Sequence, residues 1–231
     1  MLADAMARAL GLVLHPSAEL VGIVLMTFKV SGGALFIATA LGLPMGAALA
    51  LGRFPLRGAV LSVLNAMMGL PPVVVGLVVY LLLSRSGLFG FMSLLYTPSA
   101  MVIAQCVLAL PIVSALTVSA VTSVDPSVRL TAQSLGATPA QVTLTIIREA
   151  RFGILAAIIA ALGRVMAEVG AILIVGGNIK GYTRVMTSTI AMETDKGDFT
   201  LAIALGMILL SISVIINIAL HALQRHGRRS A

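Results

Sequence analysis

Arg164 and Glu168 stand four residues apart inside 153–175, a stretch that is otherwise free of charge. That spacing puts both side chains on one face of a helix, where they can neutralise each other. Ionisable groups inside an apolar span are rare and usually face a bundle interior. A buried paired strut, a residue pair lining or gating a polar path, and a proton relay all fit, although a relay needs a group free to titrate. The next stretch, Val175-Gly-Gly-Asn178-Ile-Lys180-Gly181-Tyr-Thr183-Arg184, combines three glycines with two cations. That composition suits a small anion-binding nest, or equally a turn carrying membrane-surface charges. Elsewhere there is no glycine-rich phosphate loop with Lys and Ser/Thr, no His-Glu-x-x-His and no nucleophile beside a base. His15, His221 and His226 lie outside the apolar runs. The expectation is a chain that is no enzyme and holds no metal or cofactor, and that draws any energy from a partner.

The elements that must position these residues are membrane helices. Of 231 residues, 59% are hydrophobic and 10% charged, against about 25% charged in soluble domains. The net charge of +7 does not signal nucleic acid, because only 4% of residues are aromatic and the basic residues sit at the ends of apolar runs. Such placement is what the positive-inside rule produces. Cys106 lies within an apolar run and reads as a small core residue.

Five spans are expected, at 30–52, 59–84, 99–122, 153–175 and 201–220. Each is long enough for a hydrocarbon core of about 30 Å. Residues 1–19 read as an exposed or interfacial tail, too short for a persuasive signal peptide, with 9–28 as a short candidate sixth span. Residues 20–224 form the transmembrane domain, and 225–231 a basic tail. Gly42 and Gly46 give the first span a small-residue packing face, with Pro44 between them. Pro71 and Pro72 interrupt the second span and Pro111 the third. Such breaks free backbone carbonyls and normally face protein or a water-filled path. Pro71, Pro72, Pro111, Arg164, Glu168 and Asn178 are therefore the candidates for a translocation path or gate.

Residues 123–152 form a polar interruption too long for an ordinary connection, with helical spacing. Val128, Ala132 and Leu135, then Val142, Leu144 and Ile146, offer apolar faces for two short helices. Gly136 can end the first helix, Thr138 can cap the second, and Pro139 suits its first turn. The pattern fits a docking element at the membrane surface, or an amphipathic linker lying on lipid headgroups. With this loop, the 53–57 turn and the C-terminus on the cytoplasmic side, that side collects most of the Lys and Arg residues.

Ala132-x-x-Leu135-Gly136-Ala137 resembles the core of the loop carried by membrane subunits of ABC importers, with Leu130 and Thr131 where that family has Glu and Ala. Gly69-Leu-Pro71-Pro72 followed by Val73-Val-Val-Gly76 is similar to the oxyanion importer permeases for molybdate, tungstate and sulfate. So are Gly163-Arg164, Glu168-x-Gly170-Ala171 and Gly177-Asn178-Ile179-x-Gly181-x-Thr183-Arg184. The compact form, with Lys196-Gly-Asp-Phe-Thr-Leu-Ala leading into the last span, looks most like tungstate permeases. The resemblance implies an all-α polytopic bundle of about five transmembrane helices, similar to type I ABC importers, in a prokaryotic inner membrane. Its coupling loop would use Ala132, Ser134, Leu135, Gly136, Ala137 and Thr138. The implied partners are a second copy, two ATP-binding cassette subunits that hold ATP and Mg, an extracytoplasmic oxyanion-binding protein and membrane lipid. A secondary transporter would need internal repeats, and none is visible. A non-transport assembly protein would explain the loop but not the proline breaks.

Overall fold

The computed structural model describes residues 2–52 and 54–229, with side chains for 6–52 and 54–225. Arg53 and the side chains of Arg228 and Arg229, part of the basic excess noted above, thus lie outside the described residues. Among those described, all regular structure is helical: α1 (Leu2–Leu14), α2 (Ala18–Leu51), α3 (Arg57–Met68), α4 (Pro72–Leu83), α5 (Pro98–Thr122), α6 (Pro126–Ser134), α7 (Pro139–Glu149), α8 (Arg151–Met166), α9 (Gly170–Gly176), α10 (Met186–Lys196) and α11 (Phe199–Arg229), with a short 3-10 turn at Gly90–Met92. Three helices, α2, α5 and α11, are long and apolar enough to cross a membrane. Two further crossings arise if each bent pair counts as one: α3–α4, bent by 100°, and α8–α9, bent by 60°.

Helix α5 is the centre of the bundle. Two-thirds of its apolar window is buried, against 17% for α11. Thr97 caps it by accepting from the Ala100 N–H at 3.4 Å, with Pro98 in the first turn. Pro111 is buried inside α5, which nevertheless runs unbroken from Pro98 to Thr122. Helix α2 lies along it through the small-residue face that the sequence singles out. A Cβ on Gly42 would stand 3.0 Å from Val113 Cγ1, and one on Gly46 would stand 2.6 Å from the Ser114 carbonyl oxygen. The far end of α2 is closed by Arg57, whose Nε donates to the Leu49 carbonyl at 2.7 Å. A cation here satisfies a free carbonyl and complements the helix dipole.

Three parts of the chain differ from expectation. Helix α2 begins at Ala18 and has 34 residues, about 51 Å at 1.5 Å per residue, so it outruns the hydrocarbon core. Lys29 does not interrupt it, because the side chain sits on the exposed face and a long stem lets a charge reach out of an apolar surround. Residues 2–14, expected as a tail, form α1, where Ala9 is fully buried in a cluster with Leu20, Ile23, Met186 and Leu205. The polar segment 176–198, outside the five expected spans and with a turn of membrane-surface charges among the readings of its first part, is in fact folded inward. Val185, Met186, Thr187, Ser188, Thr189 and Glu193 are all buried in it.

The Gly46 contact predicts a sharp contrast within one helix. Gly46→Ala drives a methyl group into a backbone carbonyl that cannot move aside, an overpacking cost of about 1–3 kcal/mol. Gly32→Ala meets nothing within 4 Å and leaves stability unchanged or slightly raised. Thermal unfolding of the two purified variants in detergent should show a lower Tm for Gly46→Ala alone.

Candidate functional site

Residues 123–152 fold as a helical hairpin. Asp125 caps α6 by accepting from the Ser127 N–H at 2.7 Å, and that bond holds its carboxyl below the usual range. The cap is therefore complete above the unfolded carboxylate range and is lost as pH falls through the lowered value. The turn closes with Gly136 N–H donating to the Gln133 carbonyl and Ala137 N–H to that of Ala132, both at 3.0 Å. Gly136 has φ +79, the left-handed region where a side chain is strained. Thr138 and Gln141 then form a reciprocal cap for α7. The Thr138 hydroxyl accepts from Gln141 N–H, and Gln141 Oε1 accepts from Thr138 N–H.

The hairpin has one seated face and one open face. Val142 and Ile146 are buried with Val121 of α5 and Ala150, and Ala50 and Leu51 from the end of α2 pack against them. Leu144, expected on that face, points away and is 48% exposed, because residues two apart lie on opposite sides of a helix. Leu135 is 82% exposed at the tip. Ala132, Leu135 and Ala137 come together with Ser127, Val128, Thr131 and Thr145 around a groove of about 480 Å³. Ser134 turns its hydroxyl back to the Thr131 carbonyl at 2.9 Å. Gly136 and Thr138 shape the turn and do not line the groove.

The two bent pairs meet where each is bent. Pro71 and Pro72 cap and start α4 rather than lying within a helix. A Cβ on Gly76 would stand 2.7 Å from Ala171 Cα, and one on Gly170 would stand 2.7 Å from Val73 Cγ2. The first turns of α4 and α9 therefore lie against each other. Glu168 sits in the break before α9 and is 4% exposed. Its Oε1 accepts from the Ala171 N–H at 3.1 Å, and its carbonyl accepts from the Thr187 hydroxyl at 2.7 Å. The expected pairing with Arg164 is not formed: no ion pair joins the two among the described residues. Helix α8 ends at Met166, so Glu168 lies beyond the last helical turn, and Arg164 is left on an exposed face.

Gln105 of α5 was not apparent from the sequence. It is fully buried, and its Nε2 donates to the Val165 carbonyl at 2.8 Å, at the end of α8. A lone amide in an apolar run of 99–122 was the available signal. Pro111 lies buried six residues further along the same helix. Past α9, Gly177 and Asn178 both have positive φ. The Ser188 hydroxyl donates to Asn178 Oδ1 at 2.9 Å, and the Thr183 hydroxyl donates to the Gly176 carbonyl at 2.6 Å. The Met186 N–H donates to the Thr27 hydroxyl of α2 at 2.9 Å. These buried hydroxyls went unnoticed in the sequence, although Val185–Ile190 is charge-free and hydroxyl-rich between charged flanks.

Residues 39–229 match the family described as binding-protein-dependent transport system inner membrane component. The chain belongs to that family. It is an inner-membrane, multi-pass transport component. It is 40% identical over 223 residues to a protein of Peptoclostridium acidaminophilum described as a tungstate uptake system permease protein, covering 96% of this chain and 98% of that one. It is 44% identical over 203 residues to a protein of Haloferax volcanii described as a probable anion ABC transporter permease protein, covering 86% and 88%. The fold is similar to a membrane subunit in an inward-facing methionine ABC transporter, with a TM-score of 0.73 at 18% identity over 90% of this chain and 96% of that one.

Within this family member, the contact that Glu168 Oε1 makes is to a backbone donor and not to Arg164. Glu168→Gln keeps an oxygen for the Ala171 N–H, and both Tm and transport should stay close to the parent's. Glu168→Ala leaves that donor unpaired in a buried break, at a cost of about 1–3 kcal/mol. Arg164→Gln combined with either variant should give additive effects, since the residues do not interact. Thermal unfolding in detergent together with uptake checks all three.

Proposed function

We propose that the chain is the permease subunit of an ATP-driven ABC importer for a tetrahedral oxyanion, with tungstate the first candidate and molybdate or sulfate next. The observation that carries the reading is the 40% identity, over nearly the full length of both chains, to the Peptoclostridium acidaminophilum tungstate permease. A second one, from Campylobacter jejuni, is 38% identical over 173 residues. Sulfate and molybdenum permeases match at 28%, which supports the oxyanion class and favours tungstate within it.

The chain has no phosphate-binding loop of its own, so ATP and Mg belong to a partner ATPase. One chain offers one hairpin, and two copies would present two hairpins to two ATP-binding cassette subunits. Exposed Val73, Val74, Leu77 and Leu81 of α4 leave an apolar surface for the second copy or for lipid. A separate extracytoplasmic binding protein delivers the anion, and selectivity rests mainly there, because a dianion held tightly in the membrane would not leave. The basic excess supports a cytoplasmic hairpin, which would put the 177–185 loop on the opposite side.

Uptake of labelled tungstate, molybdate and sulfate by a deletion strain carrying this chain and its neighbouring importer genes tests the substrate. Tungstate uptake should exceed the other two, and uptake of none of them would end the reading. Gly136→Leu tests the docking. It leaves every crossing helix untouched but strains a backbone at φ +79 and adds a side chain beside the exposed Leu135. The variant should insert normally, lose its ATPase on detergent extraction and transport nothing. Gly136→Ala costs about 1–2 kcal/mol in the backbone alone and should be milder.

A further inference from the structure

We propose that Arg184, held provisionally by Glu19, is an oxyanion-binding residue at the mouth opposite the docking hairpin. The proposal rests on the oxyanion reading above and adds a site to it. Lys180 and Arg184 follow α9, and Glu19 stands in the first turn of α2. Lys180 Nζ lies 2.9 Å from Glu19 Oε2, while Arg184 Nη1 lies 3.7 Å from Glu19 Oε1. The first distance is a hydrogen-bonded ion pair, and the second is too long for one.

Arg184 is otherwise poorly satisfied. Its side chain is only 13% exposed, its Nε is buried with no partner, and its Nη2 rests on the Met192 sulfur at 3.7 Å. Asn178 Nδ2 donates to the same sulfur at 3.2 Å. Two strong donors thus share one thioether, a weak acceptor. A guanidinium carries five donors in a planar fork that matches oxyanion geometry. Here most of that fork is unused, in a place where water is largely excluded. Two cations face one carboxylate, so the cluster keeps a net positive charge. The adjoining cavity, about 220 Å³, is lined by Glu19, Ile23, Met26, Lys180, Tyr182 and Arg184, among others. Its apolar wall strengthens an ionic contact at the other side.

Glu19 is a stand-in for the anion. It offers carboxylate oxygens to both cations, satisfies Lys180 well and Arg184 badly. A tetrahedral oxyanion carries more acceptor oxygens and can replace Glu19 at Arg184. The exchange keeps Arg184 from being left wholly unpaired when the site is empty, and it weakens binding enough for the anion to pass on.

The test needs no transport. Ala18 borders the cavity and is exposed, so Ala18→Cys in a Cys106→Ser background reports occupancy through its rate of alkylation. With the permease–ATPase complex in proteoliposomes, sodium tungstate should slow alkylation, and sodium chloride at equal ionic strength should not. Arg184→Gln should raise the half-protecting tungstate concentration by about tenfold or more. Arg184→Lys should fall between it and the parent. Glu19→Gln, which removes the competitor, should lower that concentration severalfold and guards against misreading a misfolded Arg184 variant. Protection unchanged by either substitution, or equal protection by chloride, would overturn the proposal. So would slowing that follows anionic lipid content instead of tungstate, since the occupant would then be a lipid phosphate. Uptake by the parent is scored separately. If it imports none of the three oxyanions, the proposed function fails, while the alkylation rates still decide the site.

Discussion

A helix that ends inside a membrane leaves donors and acceptors that lipid cannot satisfy, each worth several kcal/mol. When each bent pair is counted as one crossing, two of the five crossings are interrupted in that way, at 69–71 and at 167–169. The structure answers the problem with local protein groups. Glu168 turns its carboxylate onto the Ala171 N–H, Gln105 reaches the Val165 carbonyl, and Thr187 reaches the carbonyl of Glu168. At the first turn of α4, Pro72 removes one N–H that would need a partner, and the Val74 and Val75 N–H groups donate to the Pro71 carbonyl. Close approach of Gly76 and Gly170 to the opposing helix then shuts the two breaks against each other. Buried Thr187 follows from this constraint, since its segment is folded inward to reach the second break.

Hairpin and breaks are connected through one continuous helix. Val142 and Ile146 of α7 seat on Val121 near the end of α5. Gln105 lies sixteen residues back along the same helix, about 24 Å at 1.5 Å per residue. The helix that seats the hairpin is thus the one whose buried amide holds the end of α8. Helix α2 runs beside it, joined through Gly42 and Gly46, and its end also packs under the hairpin. The hairpin's seat and the breaks are thus two ends of one α2–α5 unit.

How much of this the sequence disclosed depends on whether the cause was local. Gly136, Thr138 and Pro139 act within one turn, and the hairpin they predict is present with the expected cap and positive φ. The family resemblance, carried by glycine and proline spacing, agrees with the family match over 39–229. The five-span count holds when each bent pair is one crossing. The start of α2 is hidden in the sequence because a span apolar on all sides has no amphipathic period to mark it, and the exposed Lys29 mimics an end. The Arg164–Glu168 pair failed because spacing of four implies a shared face only while the helix continues. Nothing local marks Met166 as its end. The groups that meet that end, Gln105 of α5 and the packing of α4 against α9, are distant in sequence.

The same reasoning separates the roles of the charged residues that remain. A dianion moving through a protein cannot be aided by a carboxylate facing it, so a buried Glu168 must be turned away or otherwise engaged. Its oxygen is engaged by a backbone donor, which leaves it a part of the framework. Glu19 differs in being 41% exposed and shared between two cations, so its own carboxylate can turn to water when an anion takes its place at Arg184. Framework carboxylates are those whose partners are fixed backbone groups. Glu19 is of the other kind: it is itself partly exposed at the edge of a cavity, and only a carboxylate so placed can yield to an arriving anion.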